Sequence, residues 1–184
     1  MRERILATAT GMFVARGYEG VAMREIAEAC GITKAALYYH FAGKSDVLNA
    51  IFTGYLDEIA GVVEGSADHG TGEARLRWLV QDLFALPAGR RAIMRLAMHD
   101  VGQLEPEQRA SFGAAYVGRF IGPLQQIVAD GVASGEFVAK DPSLVVWILL
   151  GMLYPFFAPP GAGGTADADT ITDLLDVFFG GLAT

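Results

Sequence analysis

Apolar residues recur at spacings of three and four along almost the whole of this 184-residue chain, and no segment alternates apolar and polar residues as a half-buried strand would. That periodicity restricts the chain to an all-α fold. Ile5, Leu6, Ala9, Met12 and Phe13 mark a first helix that Gly17 stops. Short helices are expected over Met23–Cys30 and Lys34–His40, with Thr33 as cap of the second. A long helix follows over Lys44–Ser66, carrying Val47, Leu48, Ile51, Tyr55, Ile59 and Val62 as its apolar stripe. Later helices are predicted over Glu73–Leu86, Arg90–Val101 and Pro106–Ser134, the last kinked at Gly122-Pro123. An eighth runs from Pro142 to Phe157, a Pro- and Gly-rich stretch over Pro159–Gly164 reads as a mobile loop, and Thr170 with Asp173 opens the ninth, to Leu182.

Composition narrows the function classes. Hydrophobic residues make up 52% of the chain and charged ones 19%, with a net charge of −7. A sequence-blind basic coat for nucleic acid or an anionic membrane is therefore excluded. The longest apolar run, Leu144–Phe157, is shorter than the roughly 18–20 residues of a membrane span and is interrupted by Gly151 and Pro155. The start of the chain lacks a charged-then-apolar export signal, and Cys30 is the only cysteine. A cytoplasmic protein is expected, with no membrane partner, no disulfide, no metal site and no cofactor.

The charge is unevenly spread. Residues 1–48 hold six Lys/Arg and five acids, a net +1, while the remaining eight bases and sixteen acids leave −8. A near-neutral head over residues 1–48 and an acidic body over residues 49–184 are the expected domains.

The head contains a helix-turn-helix pattern in MREIAEACGITKAALYYHFAGK, Met23–Lys44. Ala27 is small where two helices would touch, and Gly31, four positions on, tolerates a left-handed turn. Ile26, Cys30, Ile32 and Leu37 supply the inner faces. Lys34, Ala35, Tyr38 and Tyr39 then point outward from a helix that fits the major groove of B-DNA, where Lys34 can donate to guanine and Ala35 and Tyr38 can pack on thymine methyls.

Over about residues 2–50 the chain resembles the TetR family of bacterial transcriptional regulators. The resemblance is carried by Arg16-Gly17-Tyr18, Ile26-Ala27, Ala29 through Lys34, Leu37-Tyr38-Tyr39-His40-Phe41 and Lys44. It implies a three-helix DNA-binding head joined to a helical effector-binding and dimerisation domain. It also implies that Thr33, Tyr39, His40 and Lys44 contact phosphate, that Lys34, Ala35 and Tyr38 reach base edges, and that Arg24 reaches either. Ala22 and Ala36 stand where the family often has threonine, which removes two hydroxyls. Arg2 and Arg4 are the only residues available as a minor-groove arm, and Cys30 replaces a common alanine as a small core residue.

The resemblance further implies a homodimer closed by the last two helices. Their apolar residues fit that role: Leu144, Ile148 and Met152, with Gly151 permitting close approach, and Leu174, Leu175 and Phe178. An effector cavity is expected among helices five to eight, with Trp78, Phe84, Met94, Met98, Phe112, Tyr116, Phe120 and Trp147 as candidate lining and Arg95 and His99 as polar candidates. His99 and Asp100 do not make a dyad as sequence neighbours, because adjacent helical residues point about 100° apart.

The reading is a ligand-responsive regulator, a repressor released from a palindromic double-stranded operator by a small hydrophobic or aromatic effector. An architectural DNA-binding protein of the same fold is the alternative, marked by a body without a ligand-sized cavity. No nucleophile–base spacing, metal signature or phosphate loop supports an enzyme.

Overall fold

A computed structural model describes residues 1–157 and 167–182; the expected loop over Pro159–Gly164 lies outside them. The described residues are helical and form no extended strand. The helices are α1 (Arg2–Arg16), α2 (Met23–Ala29), α3 (Lys34–His40), α4 (Lys44–Gly65), α5 (Gly72–Ala85), α6 (Ala88–Asp100), α7 (Pro106–Tyr116), α8 (Gly122–Ala133), α9 (Pro142–Leu153) and α10 (Ala168–Gly180). A π-helical turn, Val117–Ile121, joins α7 to α8, and a 3-10 turn, Tyr154–Phe157, follows α9.

Local chemistry sets most of these boundaries. The α2–α3 corner is closed by Gly31 at φ 62°, with the Ile32 amide donating to the Ala27 carbonyl and the Gly31 amide to that of Glu28. That pair of bonds satisfies the last carbonyls of α2 and needs a left-handed residue where Gly31 stands. The Thr33 hydroxyl accepts from the Ala36 amide at 3.1 Å and starts α3. Ala22 offers no cap to α2, so Glu25 reaches back: one of its oxygens accepts from the Ala22 amide at 2.7 Å and the other from Arg16 at 2.9 Å.

Two expectations about element ends are corrected. Gly122-Pro123 does not simply kink one long helix. Pro123 has no amide for the carbonyl of Arg119, and the turn before it widens so that the Gly122 amide bonds Val117, five residues back. The last helix starts three residues before its expected box, because Asp167 accepts from the Thr170 amide at 2.7 Å.

α1, α2, α3 and the start of α4 enclose a head core in which Ile5, Ala9, Phe13, Ile26, Leu37, Val47 and Leu48 are almost fully buried. α4 is 22 residues long, about 33 Å, and continues into the body, where α5, α6 and α7 pack on it. α8 packs between α5 and α9, α10 lies on α5, and α6 turns back to touch α1. Arg77 joins α5 to α10, pairing with Asp176 at 2.8 Å and lying over the Phe179 ring.

Candidate functional site

α3 is fixed from below by Leu37, which is fully buried. Helical geometry then turns residues 34, 35, 38 and 39 outward, and Lys34, Ala35, Tyr38 and Tyr39 are all exposed, Tyr39 at 87%. The Lys34 ammonium lies 5.6 Å from the Tyr38 ring centre. His40 is half-buried and meets the Tyr39 ring edge-on at 5.4 Å. Thr33 is exposed, as is Arg24, whose nearest acid is Glu28 at 3.4 Å on the same helix. These seven residues lie on α2, on α3 or at its cap, and all but the half-buried His40 are exposed.

Lys44 is placed differently. Its ammonium donates to the carbonyls of Tyr18 at 2.9 Å and Val21 at 3.0 Å, and sits 4.0 Å from the Tyr18 ring centre. The charge that the family resemblance assigns to phosphate is engaged in holding the α1–α2 loop. The two arm residues are also seated on the head: Arg4 donates to the Cys30 carbonyl at 3.0 Å, and Arg2 lies over the Phe41 ring.

In the body, α4, α6, α7, α9 and the turn after α9 enclose a cavity of about 460 Å³. That is within the usual range for a small-molecule site. Phe52, Tyr55, Leu56 and Ile59 of α4 form one wall, and Met94, Ala97 and Met98 of α6 another. Phe112 and Tyr116 of α7 stack on each other, and Phe112 also meets Phe52 at 5.5 Å. Trp147, Leu150, Gly151, Tyr154 and Phe157 complete the enclosure. Burial pushes the Tyr116 phenol up to about 12, and pushes the Tyr55 phenol up further. Met98 and Trp147 are each more than half exposed and mark the mouth.

α6 has a second outlook. Its opposite side, with Arg95, His99 and Asp100, faces Phe13 and Val14 of α1 and Gly17 just after it across a cleft of about 400 Å³. His99 links the two sides: its Nε2 is 2.8 Å from the hydroxyl of Tyr154, a residue of the cavity wall. α7 has a similar link. Gln108 accepts from Ser45 at 2.6 Å and donates to Asp46 at 2.7 Å, tying α7 to the start of α4 immediately after α3.

Comparison with known proteins bears on this arrangement. Residues 5–51 match the model for bacterial regulatory proteins of the tetR family, and residues 69–173 match the model for the tetracyclin repressor-like C-terminal domain. The chain belongs to the TetR family. It is 25% identical to the transcriptional repressor KstR2 of Rhodococcus jostii over all of its own length and 91% of that protein. Among solved structures it resembles AibR in complex with isovaleryl coenzyme A and operator DNA, with 26% identity, 96% of both chains covered and a TM-score of 0.83. It is also similar to PfmR of Thermus thermophilus, a TetR family transcriptional regulator, with 26% identity over 95% of this chain and 96% of that one, and a TM-score of 0.84. The family is one of transcriptional regulators and not of enzymes.

Within this TetR-family fold, the predicted effector residues divide. Met94, Met98, Phe112, Tyr116 and Trp147 line the cavity. Phe84 and Phe120 lie one layer behind it, against Phe157 and Tyr116 respectively. Trp78 stacks on His69 at the α4–α5 corner, and Arg95 and His99 face the cleft. The wall contributed by α4 was visible in the sequence only as an apolar stripe, and α5 contributes nothing to the lining.

The predicted seam residues also divide. Leu144, Ile148 and Gly151 are exposed on one face of α9, beside Trp147, and Gly151 also borders the cavity. Met152 and Leu174 are half-buried. Leu175 and Phe178 turn inward with Ile171 and Phe179 and are buried in the chain's own core, because they share one face of α10. Val177 and Gly180 occupy the exposed face instead.

Proposed function

We propose that this protein is a transcriptional repressor that binds a palindromic operator as a homodimer and releases it when a small, predominantly apolar effector enters the body cavity. The observation that carries the reading is the cavity itself, because two of its walls also touch the head. α6 packs on α1, and α7 is bonded through Gln108 to Ser45 and Asp46. An occupant that moves either helix changes how α3 is held. Such an effector must favour the DNA-incompetent arrangement by its own difference in affinity. AibR, whose structure holds an acyl-coenzyme A together with operator DNA, supports the pairing of the two ligand types in a relative.

Lys34, Ala35 and Tyr38 read base edges, and Arg24, Thr33, Tyr39 and His40 hold the backbone. The seam runs along the exposed face of α9 with Val177 and Gly180 of α10, and residues 1–48 act as the reading head. An architectural protein of the same fold has no need of a ligand-sized cavity, which favours the effector-responsive reading.

Selection of bound duplexes from a random library tests this. The expected product is an inverted repeat whose half-sites are one helical turn, or a multiple of it, apart. Lys34→Ala with Tyr38→Ala should abolish that selectivity while circular dichroism and hydrodynamic size stay unchanged. Enrichment of the same repeat by the double variant would remove α3 as the reader.

A further inference from the structure

The cavity wall has nothing to offer a charge. Its lining includes no Asp, Glu, Lys, Arg or His among the described residues. The cations on the neighbouring part of α6 are already engaged: Arg90 pairs with Glu58, and Arg91 donates to the carbonyls of Phe84 and Leu86 at 2.7 and 2.6 Å. Arg95 lies on the far side of α6, in the cleft, and His99, also of the cleft, reaches the wall only through its bond to the Tyr154 hydroxyl. An ionised group buried against such a wall would lose its hydration and gain no counter-charge.

The wall does hold hydrogen-bond donors. Three tyrosines line it, and the Tyr154 hydroxyl is occupied by His99. The Tyr55 hydroxyl is buried with no partner, and that of Tyr116 bonds none of the described residues. The two phenols, one on α4 and one on α7, belong to the same cavity lining, and burial keeps both protonated. A carbonyl oxygen, with two lone pairs and no proton, suits a pair of unmet O–H groups.

We infer that the part of the effector entering this cavity is uncharged and carries a carbonyl-type acceptor that receives hydrogen bonds from Tyr55 and Tyr116. The inference rests on the effector reading of the cavity and adds the charge state and the recognised group. Any ionised portion of the molecule stays outside the mouth at Met98 and Trp147.

Calorimetric titration with four probes of one shape tests it: 2-acetylnaphthalene, naphthalene, 2-naphthoate and 2-naphthylmethylammonium. The ketone should bind most tightly, with an affinity flat between pH 6 and 8. The naphthoate affinity should fall about tenfold per pH unit over that range, since only its protonated form enters. Tyr116→Phe or Tyr55→Phe should weaken the ketone roughly tenfold and leave naphthalene unchanged. Naphthoate binding as tightly as the ketone at pH 8 would overturn the neutrality of the site. Unchanged ketone affinity in both phenylalanine variants would overturn the tyrosine assignment. Failure of every probe to bind, naphthalene included, would instead remove the effector reading itself.

Discussion

The Lys44 ammonium is committed before any duplex arrives, and this fixes what its loss should do. Lys44→Ala leaves the Tyr18 and Val21 carbonyls without their donor and is expected to lower the stability of the protein by about 2 kcal/mol in urea unfolding. The salt dependence of DNA binding should stay as it is. A slope reduced by about one would instead return Lys44 to the phosphate backbone. Lys34→Ala is expected to show the opposite pattern, with stability kept and selectivity lost, because the Lys34 side chain is exposed and bonds nothing in the head core. Roles that depend on a residue's immediate neighbours in sequence were legible at this scale. Thr33 caps α3 and Gly31 takes the left-handed turn because the bonds they satisfy lie within five residues. The engagement of Lys44 was not legible, since its partners lie more than twenty residues away and meet it only once α1 and α2 have packed.

Among the helices, α5 depends on a residue that no local pattern announces. Both oxygens of Glu136, in the α8–α9 connection, accept from the first amides of α5, those of Gly72 and Glu73, at 2.8 Å. A carboxylate there meets two orphan donors and the positive end of the helix. Glu136→Ala should lower stability by about 1–2 kcal/mol, with hydrogen exchange accelerating first in the amides of residues 72–75. Unchanged protection there would show that Thr71, whose hydroxyl accepts from Ala74, suffices as a cap. Periodicity identified the long helices well because most of them bury a stripe, as α4 and α5 do. It could not assign stripes to walls, since a core face and a cavity face have the same spacing. Phe120 therefore reads as lining when it is core, Trp78 reads as lining when it is half-buried at the α4–α5 corner, and nothing in the α4 stripe marks Tyr55 and Ile59 as bordering a cavity. The widened turn at Val117–Ile121 was legible as a disturbance through Pro123, but not in kind: a kink and a π-turn are two solutions to the same missing amide.

For the whole molecule, the exposed face of α9 sets the expected assembly. Leu144, Trp147 and Ile148 are each about half exposed, and α9 carries no charged side chain from Pro142 to Leu153. An apolar patch of this kind, with Gly151 and Gly180 allowing close approach, suits a two-fold contact with a second copy. Leu144→Asp with Ile148→Asp should shift the sedimentation coefficient from dimer to monomer and abolish tight operator binding, with helix content retained. A variant that remains dimeric would place the seam elsewhere. Trp147 stands at the mouth of the cavity and on this same face, so filling the one and covering the other touch a single indole. Chain concentration then becomes a variable of the response. Whatever pairing does to that indole alters the apparent affinity for a small molecule, by the ordinary linkage between two equilibria that share a component. Dose–response curves recorded at nanomolar and at micromolar protein should fail to superimpose, and a cell could retune its sensitivity to the same compound simply by making more or less of the sensor.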